Sequence, residues 1–353
     1  MKKIRGILDH IFIDGLSGMA LGLFATLIIG TILEQLAGLF DGRIASWLLV
    51  ISGYSKAITG AGIGIGVASK FKSHTLVAVS AAVCGMVGAF AGSVDLSELS
   101  AGIRLLGPGE PLGAFIAALI GIELGSCLSG RTKIDIIAVP AVTVLSGCAA
   151  GILLSPPISA FMKWIGELIN YGVEAQPFVM GVVVSVLMGM ALTLPISSAA
   201  IGISLGLSGI AAGAAAVGCC SQMIGFACMS FKENKWGGLI SQGLGTSMLQ
   251  MPNIIKNPFI WLPPIITSAI LGPVSTCLLK MVNNPSGSGM GTAGLVGQLM
   301  GYDAMVSSGV SPAAAVIEIV LMHFIAPGIL CFGLCEGFKA IKLIKPQDLK
   351  LSV

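Results

Sequence analysis

An apolar run of fifty-five residues, from Pro177 to Phe231, dominates the pattern of polar and apolar positions, and it contains no Asp, Glu, Lys, Arg or His. The hydrocarbon core of a bilayer is about 30 Å thick, and about 20 apolar residues cross it as a helix. The run is therefore too long for one helix. Pro195, followed by Ser197 and Ser198, predicts a break, so that the run forms a span, an interrupted or re-entrant piece and a second span.

Hydropathy along the whole chain predicts an all-α polytopic membrane protein with about ten transmembrane helices. The predicted spans lie near residues 15–38, 46–69, 74–94, 111–130, 134–155, 177–194, 207–231, 236–251, 259–282 and 312–338. The predicted domains are an amphipathic cytoplasmic lead-in (1–14), a first membrane repeat (15–170), a second membrane repeat with a re-entrant loop near 284–298 (171–338), and a cytoplasmic tail (339–353).

Composition excludes a soluble protein, because 55% of the residues are hydrophobic, 10% are charged and the mean hydropathy is +0.97. The net charge of +3 is scattered between apolar segments, so nothing indicates a nucleic-acid-binding face. The nine cysteines mostly lie in apolar runs without a CxxC pair, and we interpret them as small packing residues. We expect neither a metal nor a cofactor. Basic residues near both ends predict that both termini are cytoplasmic.

A faint internal duplication predicts two repeats of five spans each. The matched pairs are Gly22 and Gly30 with Gly181 and Gly189, Phe71-Lys72 with Phe231-Lys232, Cys127 with Cys277, and Ser155-Pro156 with Ser311-Pro312. Because five is odd, the second repeat would be inverted in the bilayer. Inverted repeats are typical of transporters, whose binding site lies near the midplane where the repeats meet.

Three carboxylates fall within predicted spans, where a charged side chain costs on the order of 2.5 to 3.5 kcal/mol or more. Glu34 is near the end of its span, and we expect it to reach the headgroups. Glu123 lies mid-span with glycines on both sides, which predicts a role in binding a solute. Glu318 and His323 share a helix about 140° apart, so we expect them to face different neighbours; His323 is either a buried core residue or a proton carrier.

The segment from Asn283 to Gln298 is too rich in glycine for a stable helix and too apolar for a plain surface linker. We predict a loop that enters the membrane and presents backbone amides to a solute's hydroxyl groups or to an anion. An ordinary flexible connection is the alternative. The candidate binding residues in this segment are Asn284, Gly287, Ser288, Gly289, Gly291, Thr292 and Gln298. The alternating glycines of 60–66, in contrast, indicate helix packing.

The Gly-Ile-Glu of residues 121–123, the Asn-Asn-Pro-x-Gly-x-Gly-Met-Gly-Thr of residues 283–292 and the ten-span layout resemble the membrane (IIC) component of the bacterial phosphotransferase system, in its single-domain, perfringolysin-regulator-like branch. Gly-Ile-Glu is similar to the Gly-Ile-Thr-Glu sugar-site motif, without its Thr. The resemblance implies a homodimer in the bacterial plasma membrane that imports a sugar or sugar-like solute, with phosphoryl transfer supplied by a separate IIB protein.

Three functions remain open at this point. The first is a phosphotransferase-type permease in which Glu123 and the loop hold the solute; the second is a secondary transporter that uses Glu318 and His323 to exchange protons. The third is a membrane sensor that controls gene expression. All four tryptophans look interfacial (Trp47, Trp164, Trp236 and Trp261), so linear sugars, sugar acids and small carboxylates stay open as solutes.

Overall fold

The computed structural model describes residues 10–38, 40–92, 107–173, 176–194, 196 and 198–351. These residues form helices and turns without a β-strand, apart from one isolated bridge between Gly209 and Asn283. The prediction of an all-α protein is thereby confirmed. Most of the predicted lead-in (1–9), Pro195 and Ser197 of the predicted break, and the last two residues of the tail lie outside the described residues.

The helices are numbered here in chain order. They are α1 (His10–Ala37), α2 (Gly42–Ala57), α3 (Thr59–Lys70), α4 (Thr75–Phe90), α5 (Pro111–Leu128), α6 (Asp135–Val173), α7 (Pro177–Thr193), α8 (Ser198–Ser204), α9 (Gly209–Met229), α10 (Phe231–Ile240), α11 (Met251–Lys256), α12 (Pro258–Leu279), α13 (Pro285–Ser288), α14 (Val296–Ser307) and α15 (Pro312–Ala340). Stretches of π-helix occur within α1, α12 and α15, and as Ser241–Gly245 after α10. Short 3₁₀ turns occur at Ser247–Gln250, Pro258–Trp261 and Ala293–Leu295.

Proline sets the start of several helices. Its fixed φ suits the first helical position, where its missing N–H would have had no partner. The helices that begin in this way are α5, α7, α12, α13 and α15. In α12, α13 and α15 the preceding Asn257, Asn284 or Ser311 caps the helix with its side-chain oxygen.

Within the part of the chain that the structure describes, six helical segments are long and apolar enough to cross a membrane, or up to seven if the bent pair α2 and α3 counts as one span. That pair is bent by 54°, so the predicted span 46–69 is broken. The predicted span 236–251 does not form one helix, because α10 ends at Ile240 and is followed by a π-helical turn, an extended Thr246 and a 3₁₀ turn. The ten-span arrangement is therefore not confirmed.

The chain divides into two compact units, one up to Phe161 and one from Met162 to Ser352. In the first unit, helices approach each other so closely that backbone meets backbone. A Cβ atom on Gly22 of α1 would lie 2.3 Å from the carbonyl oxygen of Gly62 in α3, and one on Gly64 would lie 2.1 Å from that of Ala81 in α4. These contacts confirm that the glycines of 60–66 serve helix packing.

An ion pair joins α1 to α2 in the first unit. Lys56 Nζ lies 2.9 Å from Glu34 Oε2. The carboxylate of Glu34 is therefore held by a lysine of the next helix, and the expectation that it reaches the headgroups stays a prediction.

The second unit is organised around α9. The side chains of its alanines and cysteines are almost all buried, and a Cβ on Gly218 would lie 1.9 Å from the carbonyl oxygen of Ser185 in α7. A cluster rich in methionine packs beside it, with Met281, Met305 and Met322 each 1–2% exposed. Because most side chains of α9 are packed against neighbouring helices, the polar side chains of α9 have fixed positions.

A set of buried and half-buried amides holds the C-terminal tail to the second unit. Asn234 Nδ2 donates to Leu349 O (2.8 Å), and its Oδ1 accepts from Leu351 N (2.9 Å). Gln250 donates to the same Leu349 carbonyl. Other bonds of this kind run from Asn253 to Lys350 O and from Asn257 to Leu343 O and Asp348. These bonds hold the turns of the tail against the second unit.

Candidate functional site

The segment from Asn283 to Gln298 runs as a short helix, a turn and a 3₁₀ turn before α14 begins. It is partly non-helical, and most of it is buried. Gly291, Gly294 and Leu295 have φ of +53°, +54° and +61°. A left-handed conformation suits glycine but strains leucine, so Leu295 marks a point where the surrounding packing imposes the backbone.

The polar side chains of this loop mostly hold the loop itself. Asn284 Oδ1 accepts from Gly287 N at 2.9 Å, and Ser288 Oγ donates to Pro285 O at 2.9 Å. Thr292 Oγ1 donates to Gly243 O. These hydrogen-bonding groups are therefore engaged within the protein.

The glycines of the loop let it lie against α8 and α9. A Cβ on Gly289 would lie 2.2 Å from Ser198 O, and one on Gly291 would lie 2.9 Å from Cys219 of α9. A Cβ on Gly287 would lie 2.3 Å from Asn283 Oδ1. These glycines therefore serve the packing of the loop against α8, against α9 and against itself.

Gln298 and His323 are brought together at the end of this loop. Gln298 Nε2 lies 3.0 Å from His323 Nδ1 and 3.3 Å from Cys220 Sγ. With the amide donating, the imidazole carries its proton on Nε2. His323 is 1% exposed and Gln298 8%, and neither His323 Nε2 nor Gln298 Oε1 has a partner among the described residues.

Glu318 lies one turn and a half before His323, outside the π-helical stretch Leu321–Ile325 of α15. Its Oε2 atom is buried without a partner among the described residues. Because the ring of His323 bonds to Gln298, the structure does not pair the two titratable groups.

Glu123 belongs to the first unit, where it lines a cavity of about 340 Å³. Its Oε1 lies 2.9 Å from His10 Nε2, and the His10 ring stacks on Phe71 at 3.8 Å between centroids. The glycines on either side of it pack elsewhere: Gly121 against α4 and α6, and Gly125 against Thr143. Those glycines therefore serve helix packing, while the carboxylate of Glu123 faces the cavity together with Ser126.

The family model described as phosphotransferase system, EIIC, matches residues 13–351. The chain belongs to this family. The resemblance carried by Gly-Ile-Glu and by the 283–292 motif is thereby confirmed. A comparison with curated proteins finds no match.

Membership of the EIIC family, together with the apolar helices, makes the chain a multi-pass membrane component of a sugar phosphotransferase system. The family implies a sugar as substrate and a cooperating IIB component.

A second group of buried polar side chains in this EIIC chain was missed by the sequence reasoning. Trp261 Nε1 donates to Gln222 Oε1 at 2.9 Å, and Thr193 Oγ1 lies 3.2 Å from the same oxygen. Trp47, Trp164 and Trp236 are 57–67% exposed, whereas Trp261 is half-buried. The sequence did contain a sign of this group, because Gln222 lies in a run of alanine, glycine and cysteine. An amide in an otherwise apolar, buried helix needs hydrogen-bond partners.

Proposed function

We propose that the chain is the solute-translocating component of its phosphotransferase system, and that Gln298 and His323 hold hydroxyl groups of the sugar. The observation that supports this is that the buried atoms His323 Nε2 and Gln298 Oε1 have no partner among the described residues; with the Gln298 amide donating to Nδ1, they are a donor and an acceptor. A hydroxyl group donates one hydrogen bond and accepts others, so it complements both. Leaving such groups unpaired costs about 1–3 kcal/mol each, which favours an occupant.

In this proposal the loop of 283–298 positions Gln298. Asn284, Gly287, Ser288, Gly289, Gly291 and Thr292 support the loop against its neighbours and offer backbone amides at the site. The π-helical turn of α15 presents His323. Access to the pair alternates between the two sides of the membrane, and phosphoryl transfer to the sugar comes from the separate IIB protein.

Glu123 forms a separate solute contact in this proposal, as a hydrogen-bond acceptor in the cavity within the first unit. That cavity, about 340 Å³, has room for a hexose and is lined by polar groups such as Ser126 and Ser129. The half-exposed carboxylate of Glu123 can exchange its bond to His10 for a bond to solute.

A finer arrangement is part of the same proposal: two inverted five-span repeats, both termini in the cytoplasm of a bacterium, and a homodimeric assembly. The colinear order of the matched residues and the basic chain ends support it. Reporter fusions at the C-terminus and after residue 173 test the orientation, since they must report the sides that this arrangement requires.

A second candidate function is proton-coupled transport of a small organic solute. It is favoured by Glu318 Oε2, which is buried without a partner in the described part of the chain. A carboxyl group in that position has to be protonated or to find a donor. The third, a sensor, requires solute binding without uptake.

The test is uptake by vesicles that contain the purified chain, its IIB protein and the upstream phosphoryl-transfer proteins. Phosphoenolpyruvate-dependent accumulation of labelled hexose as hexose phosphate is the expected result. Accumulation of unmodified solute that a protonophore abolishes would overturn the proposal in favour of the proton-coupled transporter, and saturable binding without accumulation would favour the sensor.

A further inference from the structure

The buried side chain of Gln222 has a free donor. The residue lies in α9 and is 0% exposed. Its Oε1 accepts from Trp261 and Thr193, and Thr193 Oγ1 lies 2.8 Å from Ser247 Oγ. Its Nε2 atom, which carries two hydrogens, has no partner among the described residues. We call Thr193, Gln222, Ser247 and Trp261 the Gln222 cluster.

The other residues of the Gln222 cluster all lie where a helix or a 3₁₀ turn begins or ends. Thr193 is the last residue of α7, Ser247 begins a 3₁₀ turn, and Trp261 closes the 3₁₀ turn that begins α12. Broken helices at membrane depth are tolerated where they are buried in protein or line a cavity, and solute sites of transporters are built at such breaks. The location of the cluster therefore suits a binding site.

The Gln222 cluster is distinct from the Gln298–His323 pair. Cys220, two residues before Gln222 on α9, contacts Gln298. Two residues turn an α-helix by about 200°, so the side chain of Gln222 leaves α9 on the opposite side. The two groups of unpaired atoms thus flank one central helix.

The chemistry of the cluster selects the ligand. Its side chains are an amide, two hydroxyls and an indole, and none of them is charged. The unmatched group is a donor, which calls for an oxygen acceptor. A neutral hydroxyl oxygen fits, whereas a carboxylate or phosphate would be buried here without a counter-charge, which is costly.

We propose that the Gln222 cluster is a second solute subsite, specific for uncharged sugars or polyols, in which Gln222 Nε2 donates to a solute hydroxyl oxygen. Trp261 is a positioning residue that holds Gln222 through its indole N–H. The inference rests on the proposed function for the class of solute, and it excludes the sugar acids that the sequence left open.

Trp261 supplies the readout. In the variant Trp47→Phe/Trp164→Phe/Trp236→Phe, Trp261 is the remaining tryptophan, and its emission is titrated with D-glucose, D-mannose, D-galactose, N-acetyl-D-glucosamine, D-glucitol and D-gluconate. At least one neutral compound should shift the emission saturably, and gluconate should not. If no neutral compound shifts the emission, as expected when Gln222 Nε2 binds only water, the proposal is overturned. A shift with gluconate alone also overturns it.

Gln222→Met in the same background keeps the side-chain length and removes the donor, and it should weaken the neutral ligand at least tenfold. Thr193→Val, which leaves Gln222 in place, should weaken it several-fold and serves if Gln222→Met does not fold. The matched control is Ser221→Ala, since Ser221 Oγ bonds within α9 to Val217 O. If Gln222→Met binds the neutral ligand as tightly as Ser221→Ala does, the subsite is overturned. Where Gln222→Met does not fold, the same comparison is made with Thr193→Val.

Uptake measured in parallel separates this inference from the proposed function. If uptake depends on phosphoenolpyruvate but no sugar changes the Trp261 emission, the subsite is overturned and the proposed function stands. A saturable Trp261 signal without uptake supports the subsite and overturns the permease.

Discussion

Gln298 Nε2 lies 3.0 Å from His323 Nδ1, which joins the end of the 283–298 loop to the π-helical turn of α15. The two residues are 25 positions apart, and both were candidates from the sequence, although for different reasons. Their contact leaves a donor and an acceptor facing no partner among the described residues. This complementarity to a hydroxyl group is the basis of the first prediction.

His323→Phe should lower kcat/KM for sugar uptake about tenfold or more, because it removes the free donor and leaves Gln298 unpaired. Met322→Leu is the control, since a volume-conserving change in the adjacent core position costs little. The measurement is phosphoenolpyruvate-dependent uptake by vesicles with equal amounts of folded protein. Equal uptake by His323→Phe and the wild type would assign His323 to the core.

The sequence was sufficient for the helical class, for the family and for the packing role of the 60–66 glycines, because each depends on local composition or on motifs that one segment contains. It failed at 236–251, where Gln242 and Gln250 are buried in an amide network that holds the tail. Hydropathy averages over such a segment and does not show that its amides have partners about 100 residues away. The pairing of Gln222 with Trp261 was hidden for the same reason.

Glu123→Gln should weaken solute binding by about 1.5–3 kcal/mol, because it replaces a charged acceptor by a neutral one. Glu34→Gln is the control: it breaks the ion pair with Lys56 and should leave affinity unchanged. Isothermal titration with the transported sugar measures both. Equal losses in the two variants would contradict a local role for Glu123.

Glu110 predicts a pH dependence of stability. This residue precedes α5 and accepts from Leu112 N with its side chain. Burial raises the pKa of its carboxyl from 4.5 to about 7. The folded state therefore binds the proton more tightly than the unfolded state, so stability is highest below pH 4.5 and falls, by up to about 3 kcal/mol, as the pH rises to 7.

Glu110→Gln should remove this dependence. Its melting temperature in detergent should exceed that of the wild type at pH 8, and the difference should vanish below pH 4.5. Asp303→Asn, at an exposed carboxylate, should follow the wild type throughout. A wild-type melting temperature that rises from pH 4.5 to 7 relative to Glu110→Gln would show that the carboxylate is stabilising instead.

The amides that bind the tail predict its resistance to proteolysis. The side chain of Asn234 makes a pair of hydrogen bonds to the tail backbone, as in a β-bridge. It donates to the carbonyl of Leu349 and accepts from the N–H of Leu351. Asn234→Leu keeps a similar volume but removes both bonds, each worth about 0.5–1.5 kcal/mol. Local opening should then become about tenfold more frequent, and trypsin should cut after Lys350, which precedes Leu351, correspondingly faster.

Ser241→Ala is the matched control for the tail, because Ser241 lies in the same region and its hydroxyl bonds only to Gly238 O, at 3.4 Å, among the described residues. Mass spectrometry of the released C-terminal peptides gives the cleavage rates. If Asn234→Leu and Ser241→Ala are cut at the same rate as the wild type, the tail opens without breaking the Asn234 bonds. Faster cleavage of Asn234→Leu alone would show that these bonds limit the opening, since both variants leave the cleavage sites unchanged.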